Sequence, residues 1–154
     1  KINNVMIDSN TDKAVCVIDL DTVMPGPALY DFGDMVRTAV SPSAEDERDL
    51  SKVVVRSPTF QALVEGYLDG CDCLCDAEID NLAFSGKLIA LETGIRFLTD
   101  YLLGDVYFKI SCEGQNLDRA RTQFQLVQQL EYCEPQLQAL VERLAKARRV
   151  RAVG

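Results

Sequence analysis

Residues 5–18 decide the start of the fold, and they have the sequence VMIDSNTDKAVCVI. Two short apolar, β-prone runs, at 5–7 and 14–18, flank a polar stretch at 8–13. Apolar runs separated by such a turn cluster predict a β-hairpin, which we place within residues 1–21. A Pro-Gly-Pro sequence at 25–27 then ends the extended structure, and its second proline suits the first turn of a helix.

The apolar residues after position 27 follow a helical period. Their spacing predicts one helix at about 29–40, a second that includes Phe60 and stops near Gly70, and a third at about 78–103. Two more are predicted to begin at Asn116 and Pro135. The third helix carries a stripe with steps of four and three residues: Phe84, Leu88, Leu91, Ile95, Leu98 and Leu102. Flanking apolar residues widen this stripe, so we expect the helix to be buried in the core. The predicted fold class is α+β and predominantly helical: a single domain over 1–154, with a short β-hairpin followed by about five helices within 27–150.

Composition excludes several classes of function. The 154 residues include 16 basic and 24 acidic side chains, a net charge of −8, which argues against a nucleic-acid partner. The sequence has neither a membrane-spanning apolar stretch nor a signal peptide, so we expect no membrane partner and a cytoplasmic location. Histidine is absent, which removes histidine bases, triads and metal ligands.

Six cysteines are present, and three of them form a Cys-x-Cys-x-Cys run at Cys71, Cys73 and Cys75. One interpretation is a zinc site, although structural zinc sites ordinarily use Cys-x2-Cys pairs, with two residues between the cysteines. The other is a set of free thiols in a reducing compartment, which this composition favours.

Polar residues meet at the open end of the predicted hairpin. An amide, Asn4, precedes the first strand, and the carboxylates Asp19 and Asp21 follow the second. Because neighbouring strands lie about 4.8 Å apart, these side chains are expected to converge. Amide and carboxylate oxygens suit Mg²⁺. The alternative is that the two aspartates only cap a turn.

Three motifs carry a resemblance to a known family: KINNVMID at 1–8, VIDLDTVMPG at 17–26 and YDFGDMVR at 30–37. They resemble the small-molecule kinases of the aminoglycoside phosphotransferase and choline kinase superfamily, and more closely the N-acetylhexosamine 1-kinases. The resemblance extends through ETGIRFLTDYL at 92–102 and DVYFK at 105–109. It implies the C-terminal part of a protein-kinase-like C-lobe, with Mg²⁺ as cofactor and ATP as substrate.

The resemblance also implies roles for individual residues. Asn4 and Asp19 match the metal ligands, and Asp21 matches a second acid. Asp31 and Asp34 match positions that brace the catalytic loop, with helix-dipole complementation as the alternative. The catalytic aspartate is expected two residues before Lys1, in a missing N-terminal part of the same protein that also holds the nucleotide lobe. We therefore expect this chain alone to be inactive.

A sugar acceptor is the last expectation. Arg96 interrupts an apolar helix and Tyr107 follows that helix, so we expect both to bind the substrate. The alternative for Arg96 is a salt bridge to Asp100. The implied reaction transfers the γ-phosphoryl group of ATP to a sugar hydroxyl, the anomeric hydroxyl of an N-acetylhexosamine. Alternatives are an aminoglycoside, choline or homoserine kinase, or a non-catalytic helical interaction module.

Overall fold

The computed structural model describes residues 4–21 and 23–153. A two-stranded sheet comes first, formed by β1 (Val5–Ile7) and β2 (Ala14–Val17). The helices are α1 (Ala28–Ala39), α2 (Ser57–Gly70), α3 (Asp76–Asp80), α4 (Leu82–Leu102) and α5 (Gln115–Val153), with a 3₁₀ turn at Leu50–Lys52 before α2. The predicted class, α+β and predominantly helical with a hairpin and five helices, is confirmed.

The hairpin is antiparallel and begins where the sequence predicts it. Val5 faces Val17 across the sheet, and the register shifts after Met6. The turn is closed by Asp8, whose Oδ1 accepts hydrogen bonds from two backbone amides of the turn at 2.9 Å. These bonds hold the pKa of Asp8 below its usual value. Side chains on β2 are open to solvent: Val15 is 68% exposed and Val17 56%.

The core forms where α1 and α5 pack on α4. On α4, Gly86, Ala90 and Gly94 recur every fourth residue, and all three are buried. A Cβ at Gly86 would lie 2.5 Å from Val36 Cγ1 of α1, and a Cβ at Gly94 would lie 2.8 Å from a ring carbon of α5. The small residues therefore let both neighbouring helices approach α4 closely.

This packing corrects the prediction for the apolar stripe of α4. Its members Phe84, Leu88, Leu91, Ile95 and Leu102 are 38–73% exposed, whereas Ile89, Ala90 and Phe97 are buried. The helix thus turns its small-residue face inward and leaves the larger stripe on the surface, because close approach brings more backbone and side-chain atoms into contact. Among residues 4–21 and 23–153, no helix combines the length and apolar composition needed to cross a membrane.

Two helix boundaries also differ from the prediction. The helix expected over 78–103 is divided at Asn81, and the two helices expected after Asn116 are one, with Pro135 inside. A proline within a helix removes one backbone hydrogen bond. Here Leu130, Leu137 and Val141 are buried on both sides of it. Packing along this common face outweighs the local loss and keeps α5 continuous.

Candidate functional site

The open end of the hairpin brings together two of the predicted metal ligands. Asn4 lies just before β1 and Asp19 lies two residues after β2. The Nδ2 of Asn4 donates a hydrogen bond to Oδ2 of Asp19 at 3.0 Å, and Ile18 N donates to Asn4 O at 2.9 Å. The strands thus position these two side chains as their spacing predicts.

The donor set of this pair fits Mg²⁺. The hydrogen bond uses the amide nitrogen of Asn4 and one carboxylate oxygen of Asp19, so an amide oxygen and a second carboxylate oxygen remain as ligands. No cluster of three or more Cys, Asp or Glu side chains within the described residues is arranged to hold a metal. Two protein ligands nevertheless suffice for Mg²⁺ when waters and substrate phosphates complete its octahedron.

Asp19 also has an unusual backbone conformation. Its φ is +61°, in the left-handed region that few residues other than glycine adopt. Aspartate tolerates this region better than most, and such conformations are concentrated at functional sites. Asp21, the expected second acid, is exposed two residues further on.

The two other aspartates expected to support the site lie on α1. Asp31 is exposed in the first turn of the helix. Asp34 is half-buried and accepts a hydrogen bond from Nε of Arg37 at 2.9 Å. Between them, Phe32 is fully buried in the core. The Asp-Phe-Gly-Asp sequence is therefore part of a helix that packs on α4, as the sequence predicts, and lies outside the hairpin end.

Arg37 is the centre of an ion-pair network that sequence reasoning missed. It is only 7% exposed, and it binds Asp34 as well as Glu45, whose Oε1 lies 3.1 Å from its Nη1. Arg119 of α5 reaches the other oxygen of Glu45 at 3.5 Å. A buried guanidinium needs such partners because an unpaired buried charge is costly. The sequence feature that could have indicated this network is the position of Arg37 next to the apolar face of an amphipathic helix.

Arg96 and Tyr107 come together, as expected for a shared site. The guanidinium of Arg96 lies 5.9 Å from the ring centre of Tyr107 and 5.5 Å from that of Phe108, within the range of cation–π attraction. Tyr107 is 73% exposed. Among the described residues, no ion pair joins Arg96 to Asp100, so the alternative salt bridge is not formed.

Asp100 instead fixes the segment that carries Tyr107. Its carboxylate is buried and accepts hydrogen bonds from the backbone amides of Tyr107 at 2.8 Å and Phe108 at 2.9 Å. Nδ2 of Asn116 donates to it at 2.9 Å. Burial acts to raise the pKa of Asp100, but the backbone amides outweigh it, and the pKa lies below its usual value. Asp100 is therefore a positioning residue for the aromatic pair.

A cavity of about 270 Å³ is lined by Arg96 and Phe108, whereas Tyr107 is outside its lining. Its charged lining consists of two carboxylates and four cations: Asp34, Glu45, Arg37, Arg96, Lys109 and Arg119. The excess of cations, four against two, favours ligands rich in oxygen and disfavours ligands that carry positive charge.

The cysteine run lies apart from these groups, in the loop between α2 and α3. The Sγ atoms of Cys71 and Cys73 are 3.0 Å apart, a thiol–thiol hydrogen bond that raises the pKa of Cys73. All six cysteines are free. The zinc and free-thiol interpretations of this run both stay predictions.

Comparison with known families gives a match over the segment that contains the hairpin end. Residues 1–56 match the family model described as the phosphotransferase enzyme family, known by the abbreviation APH. The matched segment contains the Asn4–Asp19 pair and α1. Over these residues the chain is similar to the aminoglycoside phosphotransferase and kinase-like superfamily.

Proposed function

We propose that this chain is the later part of the catalytic lobe of a small-molecule kinase that uses Mg²⁺ and ATP. The single observation that carries the proposal is the contact between Asn4 and Asp19, which lies inside the segment matching the phosphotransferase family. We also propose a cytoplasmic location, since free thiols such as the six found here are typical of reducing compartments.

In this proposal the hairpin end holds Mg²⁺ through the free oxygens of Asn4 and Asp19. The bound ion would neutralise charge on the phosphoryl group during transfer. The Asn4 amide orients the Asp19 carboxylate by donating to one of its oxygens. In the resemblance on which this proposal rests, the aspartate base and the nucleotide lobe come from a preceding part of the protein. Without them the chain lacks positioning and general-base help, and we expect it to transfer no phosphoryl group alone.

The proposed acceptor is the anomeric hydroxyl of an N-acetylhexosamine. Arg96 would donate hydrogen bonds to hydroxyl or acetyl oxygens, and Tyr107 would offer a ring face and a hydroxyl. The cation excess of the adjoining cavity supports a neutral sugar over choline or an aminoglycoside, because both of those acceptors are cations. Homoserine carries one positive and one negative group and no net charge, so it stays an alternative acceptor.

The experiment that tests the metal assignment compares two aspartates of the hairpin. Asp19→Asn removes a charged ligand, while Asp12→Asn changes an exposed aspartate whose φ, +53°, is also in the left-handed region. Asparagine tolerates that region, so neither substitution strains the backbone. In the full-length protein we expect Asp19→Asn to lower kcat about 10³-fold, or ~4 kcal/mol in barrier height. Asp12→Asn should retain normal turnover.

Mg²⁺ titration of the same variants separates the alternatives. Loss of both turnover and Mg²⁺ affinity in Asp19→Asn, but not in Asp12→Asn, supports the kinase. Near-normal turnover of Asp19→Asn at millimolar Mg²⁺ would refute the assignment. For the non-catalytic module, the expected signs are an Asn or Ala two residues before Lys1 in the full-length sequence and no Mg²⁺ dependence; an Asp there supports the kinase.

A further inference from the structure

We infer that the protein has a second binding site, for a small neutral polyol, between the end of α1 and α5. A cavity of about 230 Å³ lies here. It is lined by the last turn of α1, the loop that follows it and the first half of α5. It borders the cavity beside Arg96, with which it shares only Arg37 and Glu45.

The first observation is an unsatisfied acceptor in the cavity wall. Gln123 of α5 is 3% exposed, and its Oε1 has no hydrogen-bond partner among the described residues. Gln123 lines the cavity. Buried polar groups in native proteins are nearly always paired, because leaving one unpaired costs stability. A ligand that donates a hydrogen bond to Gln123 would remove this cost.

The neighbouring hydroxyls also present acceptors to the cavity. Thr38 Oγ1 donates its hydrogen to Asp34 O at 2.8 Å, and Thr122 Oγ1 donates to Glu47 O at 3.0 Å. A hydroxyl has one hydrogen and two lone pairs, so each of these groups can then only accept from a ligand. Together with Gln123, they form an acceptor-rich wall that suits a ligand with several donors.

The charged groups at the cavity favour an uncharged ligand that donates hydrogen bonds. The guanidinium of Arg37 is directed to Asp34 at 2.9 Å and Glu45 at 3.1 Å, so the charges at the cavity are already paired. An anion would face the acceptor wall without an unpaired cation to offset it, and a cation would find no unpaired carboxylate, since Glu45 is bound by Arg37 and Arg119. The hydroxyls of Ser41 and Ser43 lie 2.9 Å apart, and only one of them donates to the other. The remaining hydroxyl hydrogen is available to a ligand oxygen. A polyol both donates and accepts, and it carries no charge.

The test uses myo-inositol and glycerol as probes, with inorganic phosphate as the anionic comparison. With ¹⁵N-glutamine-labelled protein, we expect at least one polyol to shift the side-chain amide signal of Gln123 saturably, and phosphate to leave it unchanged. Gln123→Met removes the amide but keeps the length of the side chain. It should weaken polyol binding, measured by ligand-observed NMR, at least tenfold.

Two further variants control the test. Gln128→Met is the matched control, since Gln128 is exposed on the same helix, and it should bind the polyol as wild type does. Ser43→Ala removes a lining hydroxyl from the loop without altering the helical core, and should weaken binding severalfold even if Gln123→Met fails to fold. No saturable shift with either polyol overturns the proposal. So does equal binding by wild type, Gln123→Met and Ser43→Ala, or stronger binding of phosphate than of both polyols.

Discussion

Gly33 lies where α1 approaches the backbone of α4 closely, and replacing it with alanine tests the packing argument directly. A Cβ at this position would lie 2.6 Å from the backbone oxygen of Ser85 and 2.6 Å from Cγ1 of Ile89. Carbon–oxygen and carbon–carbon contacts ordinarily lie at about 3.3 Å and 3.5 Å or more. The side chain of Ile89 has other rotamers, but the Ser85 oxygen belongs to the α4 backbone. Relief of this overlap therefore requires the two helices to separate.

The expected cost follows from two opposing effects. Overpacking a well-packed core costs about 1–3 kcal/mol, and we take the upper half because the obstacle is backbone. Alanine returns ~1 kcal/mol through its higher helix propensity. The net loss of unfolding free energy for Gly33→Ala is therefore about 1–2 kcal/mol. For a chain of this size, that corresponds to a decrease in Tm of about 2–8 °C.

Gly66→Ala is the matched control. Gly66 lies in α2, is exposed, and has no atom within 4 Å of a Cβ built on it. The same substitution should therefore stabilise the protein by about 0.5–1 kcal/mol. Urea denaturation and thermal melting measure both variants against wild type. If Gly33→Ala is as stable as Gly66→Ala, the close approach of α1 and α4 is wrong.

Two other predictions concern side chains. Arg96→Ala and Tyr107→Phe in the full-length enzyme should each raise KM for N-acetylglucosamine about tenfold, as loss of a hydrogen bond to substrate predicts, without changing KM for ATP. Tyr132 of α5 is 81% exposed, and the control variant Tyr132→Phe should change neither KM. Equal effects of Arg96→Ala or Tyr107→Phe on both substrates would assign these residues a structural role. Burial raises the pKa of Tyr67 to about 12, and its hydroxyl donates to Ala28 O at 2.8 Å. The contribution of the Tyr67 hydroxyl to stability is therefore complete below pH 10 and is lost as the pH rises to about 12. The free energy of unfolding measured across that interval should fall less in Tyr67→Phe than in wild type. Identical pH profiles of the two proteins would contradict this.

The hairpin and the convergence at its end could be predicted because local rules determine both. Short β-prone runs, a polar turn and strand spacing fix the positions of Asn4 and Asp19 within a short stretch of chain. Their hydrogen bond across the strands needs no information from the rest of the fold. The same is true of α1 and α2, whose apolar periods are undisturbed and end at Pro or Gly signals.

The orientation of α4 could not be predicted from its apolar residues. Size and spacing favoured the stripe of larger side chains, whereas the buried face is set by Gly86, Ala90 and Gly94. Small residues on a helix favour its burial only when a neighbouring helix packs closely against them. This depends on the positions of α1 and α5, which the sequence of α4 does not specify. The continuity of α5 through Pro135 has the same origin, since it depends on apolar contacts on both sides of the proline.

The polar groups around Arg96 show a similar limit. An aspartate four residues after an arginine predicts a salt bridge, yet Asp100 binds the backbone amides of the following loop. That choice depends on the loop reversing at Gly104, whose φ is +91°, so that the amides of residues 106–108 return to the end of α4. The amides of Tyr107 and Phe108, together with Asn116, satisfy the buried carboxylate, which leaves Arg96 to stack on the rings.

Three aspartates have positive φ, and turn formation explains the conformation of two of them. Asp12 and Asp105 each lie in a turn closed by a backbone hydrogen bond from their own amide, at 2.9 and 2.8 Å. Turn formation thus accounts for their conformation. Asp19 follows a strand, and the partner that the described residues give it is the side chain of Asn4. Its left-handed backbone holds the carboxylate toward that amide. Strain that serves to aim a side chain, and not to close a turn, is the kind expected where a ligand completes the site.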